Sequence, residues 1–75
     1  MYITNIYKIV IRFDDANENI VDPRVYFDEQ KARAYAKSIA DEKFYEDRPV
    51  YDVVVMREVP DAELGWFRTA GMSRY

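Results

Sequence analysis

The chain contains neither cysteine nor histidine. No disulfide can staple the fold, which excludes the usual small secreted scaffold. The normal ligand sets of zinc, haem and iron–sulfur centres are missing too. A chain of 75 residues must then rest on one well-made apolar core or be completed by a partner. A domain this short buries only about 60–65% of its unfolded surface, so its stability is marginal. Apolar residues make up 49% of the sequence, which suits a packed core and excludes wholesale disorder. A single domain over residues 1–75 is expected, with a core over 2–59 and a C-terminal tail over 60–75 packing on the sheet.

The same absences narrow the chemistry. Cys–His and Ser–His catalysis are impossible, and the usual general base near neutral pH is lacking. Carboxylates are the only simple acid–base groups left. Asp14 and Asp15 are adjacent, so on a strand they point to opposite faces. The two glycines, Gly65 and Gly71, both lie in the tail, so no Gly-rich phosphate loop exists. Asp15, Asn17 and Asn19 alternate as at the start of a calcium loop. The pattern then fails, with Ile20 where a glycine and Tyr26 where a glutamate belong. No enzyme, no cofactor and no metal site are expected. There is no 18-residue apolar run and no signal-peptide pattern, so the expected setting is the cytoplasm, or the host cytoplasm for a phage-encoded chain.

Residues 2–13 read as a strand. One face carries Ile3, Tyr7, Ile9, Ile11 and Phe13; the other alternates Ile6 and Val10 with Lys8 and Arg12. The loop DDANEN at 14–19 leads to a second strand over about 20–27, which Pro23 confines to a sheet edge. Asp28 is an N-cap for a helix over about 29–45, with Ala32, Tyr35, Ala36, Ile39, Ala40 and Phe44 at helical spacing. Residues 50–59 form a third strand stopped by Pro60, and 60–64 can make one helical turn capped by Asp61. The fold class that follows is α+β: a two-layer β-β-α-β domain. Its mainly antiparallel three-stranded sheet has the order 2-1-3, with one helix on one face. The other face holds Ile6 and Val10 with either Val54 and Met56 or Val53 and Val55. It needs the tail, a second copy or a partner to cover it.

Charge is unevenly placed. Residues 14–29 hold six acids and one base, and residues 41–47 hold four acids and one base. The second cluster falls at the expected helix C-terminus, where the dipole disfavours each negative group by roughly 0.3–1 kcal/mol. A choice that costs stability points to a binding task. From Leu64 onward the sign reverses: Arg68 and Arg74 stand with Trp66, Phe67 and Tyr75 and no acid. Trp, Tyr and Arg are the commonest interface anchors. The net charge of −3 argues against direct nucleic-acid binding. Seven tyrosines suit either a thin domain, where most side chains lie near the surface, or an adhesive surface.

The strand pair, the helix segment FDEQKARAYAKSIADEKF and the closing YDVVVMREV resemble, over residues 1–59, small accessory proteins of bacteriophages and mobile elements. The likeness lies in size, acidity, absence of cysteine and element order. It implies a protein that binds and blocks a host factor, as anti-CRISPR and anti-restriction proteins do. The expected function is therefore a small acidic, non-enzymatic inhibitor or modulator of a host protein with a basic surface, such as a nucleic-acid-binding protein. Asp14, Asp15, Glu18, Glu46 and Asp47 would steer the approach, while Trp66, Phe67 and Tyr75 would anchor it. Two alternatives stand beside it. One is a structural or oligomeric accessory protein pairing as a homodimer through its apolar sheet face. The other is a nucleic-acid module using the Arg/aromatic tail.

Overall fold

The alternation of the first segment is realised in the computed structural model, which describes residues 5–14 and 18–75. Strand β1 (Ile6–Phe13) turns Tyr7, Ile9, Ile11 and Phe13 into the core, with Ile9 and Ile11 fully buried. The expected positions Ile3 and Asp15 lie outside the described residues. Strand β2 (Asn19–Val21) pairs antiparallel with β1, and helix α1 (Glu29–Glu42) follows. Then come β3 (Phe44–Tyr45), β4 (Arg48–Asp61) and β5 (Trp66–Arg74). The architecture is α+β, an open antiparallel sheet with one helix on one face.

The expected three-stranded sheet is corrected to five strands, in the order β2-β1-β4-β3 with β5 also on β4. Two causes account for the change. The helix ends earlier than expected, because Lys43 adopts a left-handed conformation (φ 64°) and its N–H closes on the Ile39 carbonyl. Phe44 and Tyr45 are thereby released to pair with Pro49 and Arg48. The tail, one of three expected covers for the open face, runs along the edge of β4 from Asp61↔Trp66 to Val54↔Arg74 and extends the sheet as a strand. The turn between them is capped by Asp61, whose carboxylate accepts from the N–H groups of Glu63 and Leu64. Gly65 supplies the left-handed residue (φ 65°) that lets the chain reverse.

Pro60 was expected to stop the third strand, yet it lies within β4 opposite Phe67. Among the described residues the pairing with β1 ends at Glu58, so no ladder donor is needed from Pro60 on that side. Pro23 does interrupt the second strand. Pairing of β2 stops at Val21, with one further bond from the Asp22 N–H to the Ile9 carbonyl at 2.8 Å, and contact with β1 resumes at Tyr26, which exchanges both backbone hydrogen bonds with Tyr7 (2.8 and 2.9 Å).

Helix α1 begins where the Asp28 carboxylate accepts from the Gln30 N–H at 2.9 Å. Ala32, Ala36 and Ile39 recur at i, i+4 and i+7 and are buried. They pack on Tyr7, Ile9, Ile11, Phe13, Val53 and Val55 of the sheet. The small alanines bring the helix axis close to β1 and β4 and leave β5 beyond its cover except at Ser73 and Arg74, which the Arg33 side chain reaches. Strand β4 has 14 residues; laid flat at ~3.3 Å per residue it would reach about 46 Å, more than the 38 Å long dimension of the molecule, so it spans that dimension as a bent and twisted strand.

Candidate functional site

The acidic candidates gather at one end of that long axis. Asp14 follows β1, and its N–H bonds the Pro49 carbonyl at 3.1 Å. Glu18 precedes β2 and reaches Arg48 at 3.4 Å. Glu46 and Asp47 form the two-residue turn between β3 and β4. Sequence spacing placed these two beside the helix C-terminus; the early helix stop moves them into a hairpin. Arg48 stands among these acids, its guanidinium 3.9 Å above the Phe13 ring.

The turn is conformationally costly. Glu46 and Asp47 both have positive φ (50° and 63°), where a non-glycine residue sacrifices roughly 1–2 kcal/mol. Such hairpin turns ordinarily carry Asn-Gly. Here two exposed carboxylates occupy the tip instead.

Two of the three aromatic candidates, Trp66 and Phe67, lie at the other end. Trp66 opens β5 opposite Asp61 with 74% of its surface exposed. With Phe67 it borders a groove of about 650 Å³, also lined by Ile6, Lys8, Val25, Pro60 and Ala62. Ile6, Lys8, Pro60 and Phe67 belong to the sheet face that the helix does not cover. Lys8 is neutralised there by the buried Glu58, Nζ to Oε1 2.8 Å. The groove is therefore apolar with a closed ion pair at its floor. Tyr75 stands apart from Trp66 and Phe67, at the far end of β5 near Lys43, Tyr51 and Asp52. Acids and tryptophan do not form one compact patch.

The tail arginines are each matched within the chain. Arg68 pairs with Asp61 and Arg74 with Asp52, both at 3.3 Å. That leaves little unbalanced positive charge on β5 for a phosphate backbone.

One polar cluster was not singled out from the sequence. Asp22, counted among the surface acids, is 4% exposed. Its Oδ2 accepts hydrogen bonds from the Tyr45 hydroxyl at 2.6 Å and the Tyr35 hydroxyl at 3.1 Å. Its Oδ1 accepts from the Arg24 N–H at 2.9 Å. The Arg24 guanidinium lies over the Tyr35 ring at 4.5 Å. With three donors satisfied and no path to solvent, this carboxylate holds the β2–α1 connection to the helix and to β3. The hydrogen bond to Asp22, then burial, pushes the Tyr45 hydroxyl well above the ordinary tyrosine value. Burial, then the Asp22 charge, raises Tyr35.

Those shifts set a pH dependence. A phenol whose folded value lies above its unfolded value stabilises fully below the unfolded value of about 10, and that stabilisation disappears as pH climbs through the folded value. Stability should therefore be flat to about pH 9 and fall above pH 10. Urea denaturation at pH 8 and 10.5, alongside a tyrosinate absorbance titration, checks this. Tyr45→Phe should lower stability at pH 8 and flatten the alkaline decline, and an unchanged decline would contradict the assignment.

Among the described residues no group of three or more acidic side chains is placed to hold a metal ion. No helix among them is long and apolar enough to cross a membrane. No family model, curated protein or solved structure matches this chain. Residues missed as groove lining, Val25 above all, carried no sequence signal, since Val25 comes near Trp66 only through the detour around Pro23.

Proposed function

We propose that the chain is a non-enzymatic binding protein, an inhibitor or modulator of a host protein, whose anchor is the groove bordered by Trp66 and Phe67. The observation that carries this reading is an indole 74% exposed beside an apolar hollow of about 650 Å³. A tryptophan left in water forgoes on the order of 2–3 kcal/mol of burial, and interface hot spots are enriched in this residue. The acidic turn, Glu46 and Asp47, lies at the other pole and steers the approach to a basic surface instead of sharing the anchor pocket.

The test uses paired baits. Wild-type chain and Trp66→Ala are used to capture partners from host lysate, and the partner enriched by the wild type is then titrated against both. Trp66→Ala should weaken binding by at least tenfold, mainly through faster dissociation. Equal affinity for the two baits would refute the anchor. In the same assay Glu46→Asn/Asp47→Gly, which relaxes the turn, should raise stability by about 1 kcal/mol. It should also slow association severalfold at low salt with dissociation unchanged. An unchanged association rate would remove the steering role while leaving the anchor.

A further inference from the structure

Strand β5 is the least covered element of the fold. None of its nine residues is buried, and only Phe67 and Ala70 are half-buried. Helix α1 packs over β1 and β4 and reaches β5 through Arg33, which donates to the Ser73 hydroxyl at 3.0 Å and the Arg74 carbonyl at 2.9 Å, so β5 is open on both faces from Trp66 to Met72. Among the described residues it pairs with β4 alone, and apart from the Arg74 carbonyl, which Arg33 occupies, its outer row of N–H and C=O groups has no strand on it. The usual protections are few. The strand has no proline, no lysine and no acid, and one bulge, where Ala70 has no opposite residue between the Arg57↔Gly71 and Glu58↔Thr69 pairs. We propose that β5 pairs antiparallel, edge to edge, with β5 of a second copy, joining the two sheets into one.

Charge permits an identical copy. Each β5 arginine is already matched by an aspartate of its own chain, Arg68 by Asp61 and Arg74 by Asp52, so two such edges meet without net repulsion. The faces select the register. Pairing with β4 puts Phe67, Thr69, Met72 and Arg74 on the side away from the helix, and Trp66, Arg68, Gly71 and Ser73 on the helix side. A two-fold axis between Ala70 and Gly71 sets like sides against each other. Phe67 then faces Arg74 of the second copy, Thr69 faces its Met72, and Arg68 faces its Ser73. Trp66 meets Tyr75 of the second copy, so two exposed rings cover one another. No arginine sits opposite an arginine. One strand pair is smaller than a standard interface, so the dissociation constant is on the order of micromolar.

This inference goes beyond the groove reading and tests separately from it, because Trp66 and Phe67 stay unaltered. Sedimentation velocity from about 5 to 500 μM should show the 9.0 kDa chain converting to a species of twice that mass. Hydrogen exchange at residues 66–74 should slow in step with concentration. Thr69→Lys/Met72→Lys sets like charges directly opposite at two places and should weaken the dimer at least tenfold. Thr69→Lys/Met72→Glu sets opposite charges there and should restore or tighten it. Both positions are exposed, so circular dichroism of each variant should match the wild type. A monomer throughout that range overturns the proposal, including one that takes a foreign extended peptide onto the same amides. A dimer that both variants affect equally overturns it as well.

Discussion

Asp22→Ala is expected to cost about 2–4 kcal/mol of stability and to lower the melting temperature by roughly 10–20 °C. The aspartate is 4% exposed and receives three hydrogen bonds from three different segments. Truncation leaves the Tyr35 and Tyr45 hydroxyls facing each other with no shared acceptor. It also frees the turn at Arg24. Hydrogen bonds to a charged group are worth about 1.5–3 kcal/mol each, and loss of one partner exposes the desolvation penalty of the others. Asp22→Asn separates charge from shape. It keeps an acceptor oxygen for one phenol and should cost about half as much as alanine. Calorimetric melting of wild type and both variants measures the series. If Asp22→Ala melted within two or three degrees of wild type, the cluster would be ornamental to stability.

Ile11→Ala carries an effect of similar size through a different mechanism. Ile11 is fully buried on β1, opposite the equally buried Val53, beneath the helix. Removing three carbons from such a site costs about 2–5 kcal/mol, part transfer and part cavity. A domain of this length holds roughly 4–11 kcal/mol in all, at about 0.05–0.15 kcal/mol per residue. The variant should therefore lose a large share of its stability and unfold at a much lower urea concentration, whereas Ile11→Val should lose only about 1 kcal/mol. Urea titrations followed by circular dichroism distinguish these outcomes. A midpoint near wild type for Ile11→Ala would mean that the core is not centred between β1, β4 and α1.

What could be read in advance was whatever repeats with a fixed period. The β1 alternation and the Ala32, Ala36, Ile39 stripe give their elements and their buried sides directly. What could not be read depends on single residues that break a period. Arg12 pairs with Asp52 but Phe13 pairs with Val50, so Tyr51 is an extra residue in β4. That bulge is why Val50 packs near the core together with Val53 and Val55 despite the wrong parity. Periodicity alone leaves both parities open. Likewise the helical spacing runs on through Phe44, and only the left-handed turn at Lys43 stops it. The acids Asp14, Glu18, Glu46 and Asp47 were legible as negative charge, and their convergence at one pole is a product of the β3–β4 hairpin. Asp22, an aspartate beside a proline, has the sequence pattern of a surface turn. Its burial depends on Tyr35 and Tyr45, 13 and 23 residues away.

The central role of β4 has a consequence for the chain as it is made. Three other strands pair with it, and among these β1 lies far upstream, from 37 residues at Phe13↔Val50 to 52 at Ile6↔Glu58. While a ribosome is still adding residues 48–61, the nascent segment has only a β1–β2 hairpin and an alanine-rich helix, neither of which is stable unaided. Ile9, Ile11 and Phe13 must wait uncovered until their partners Val55, Val53 and Val50 have been added. Such a domain closes in one late step, with β1 exposed to chaperones until β4 has left the ribosome.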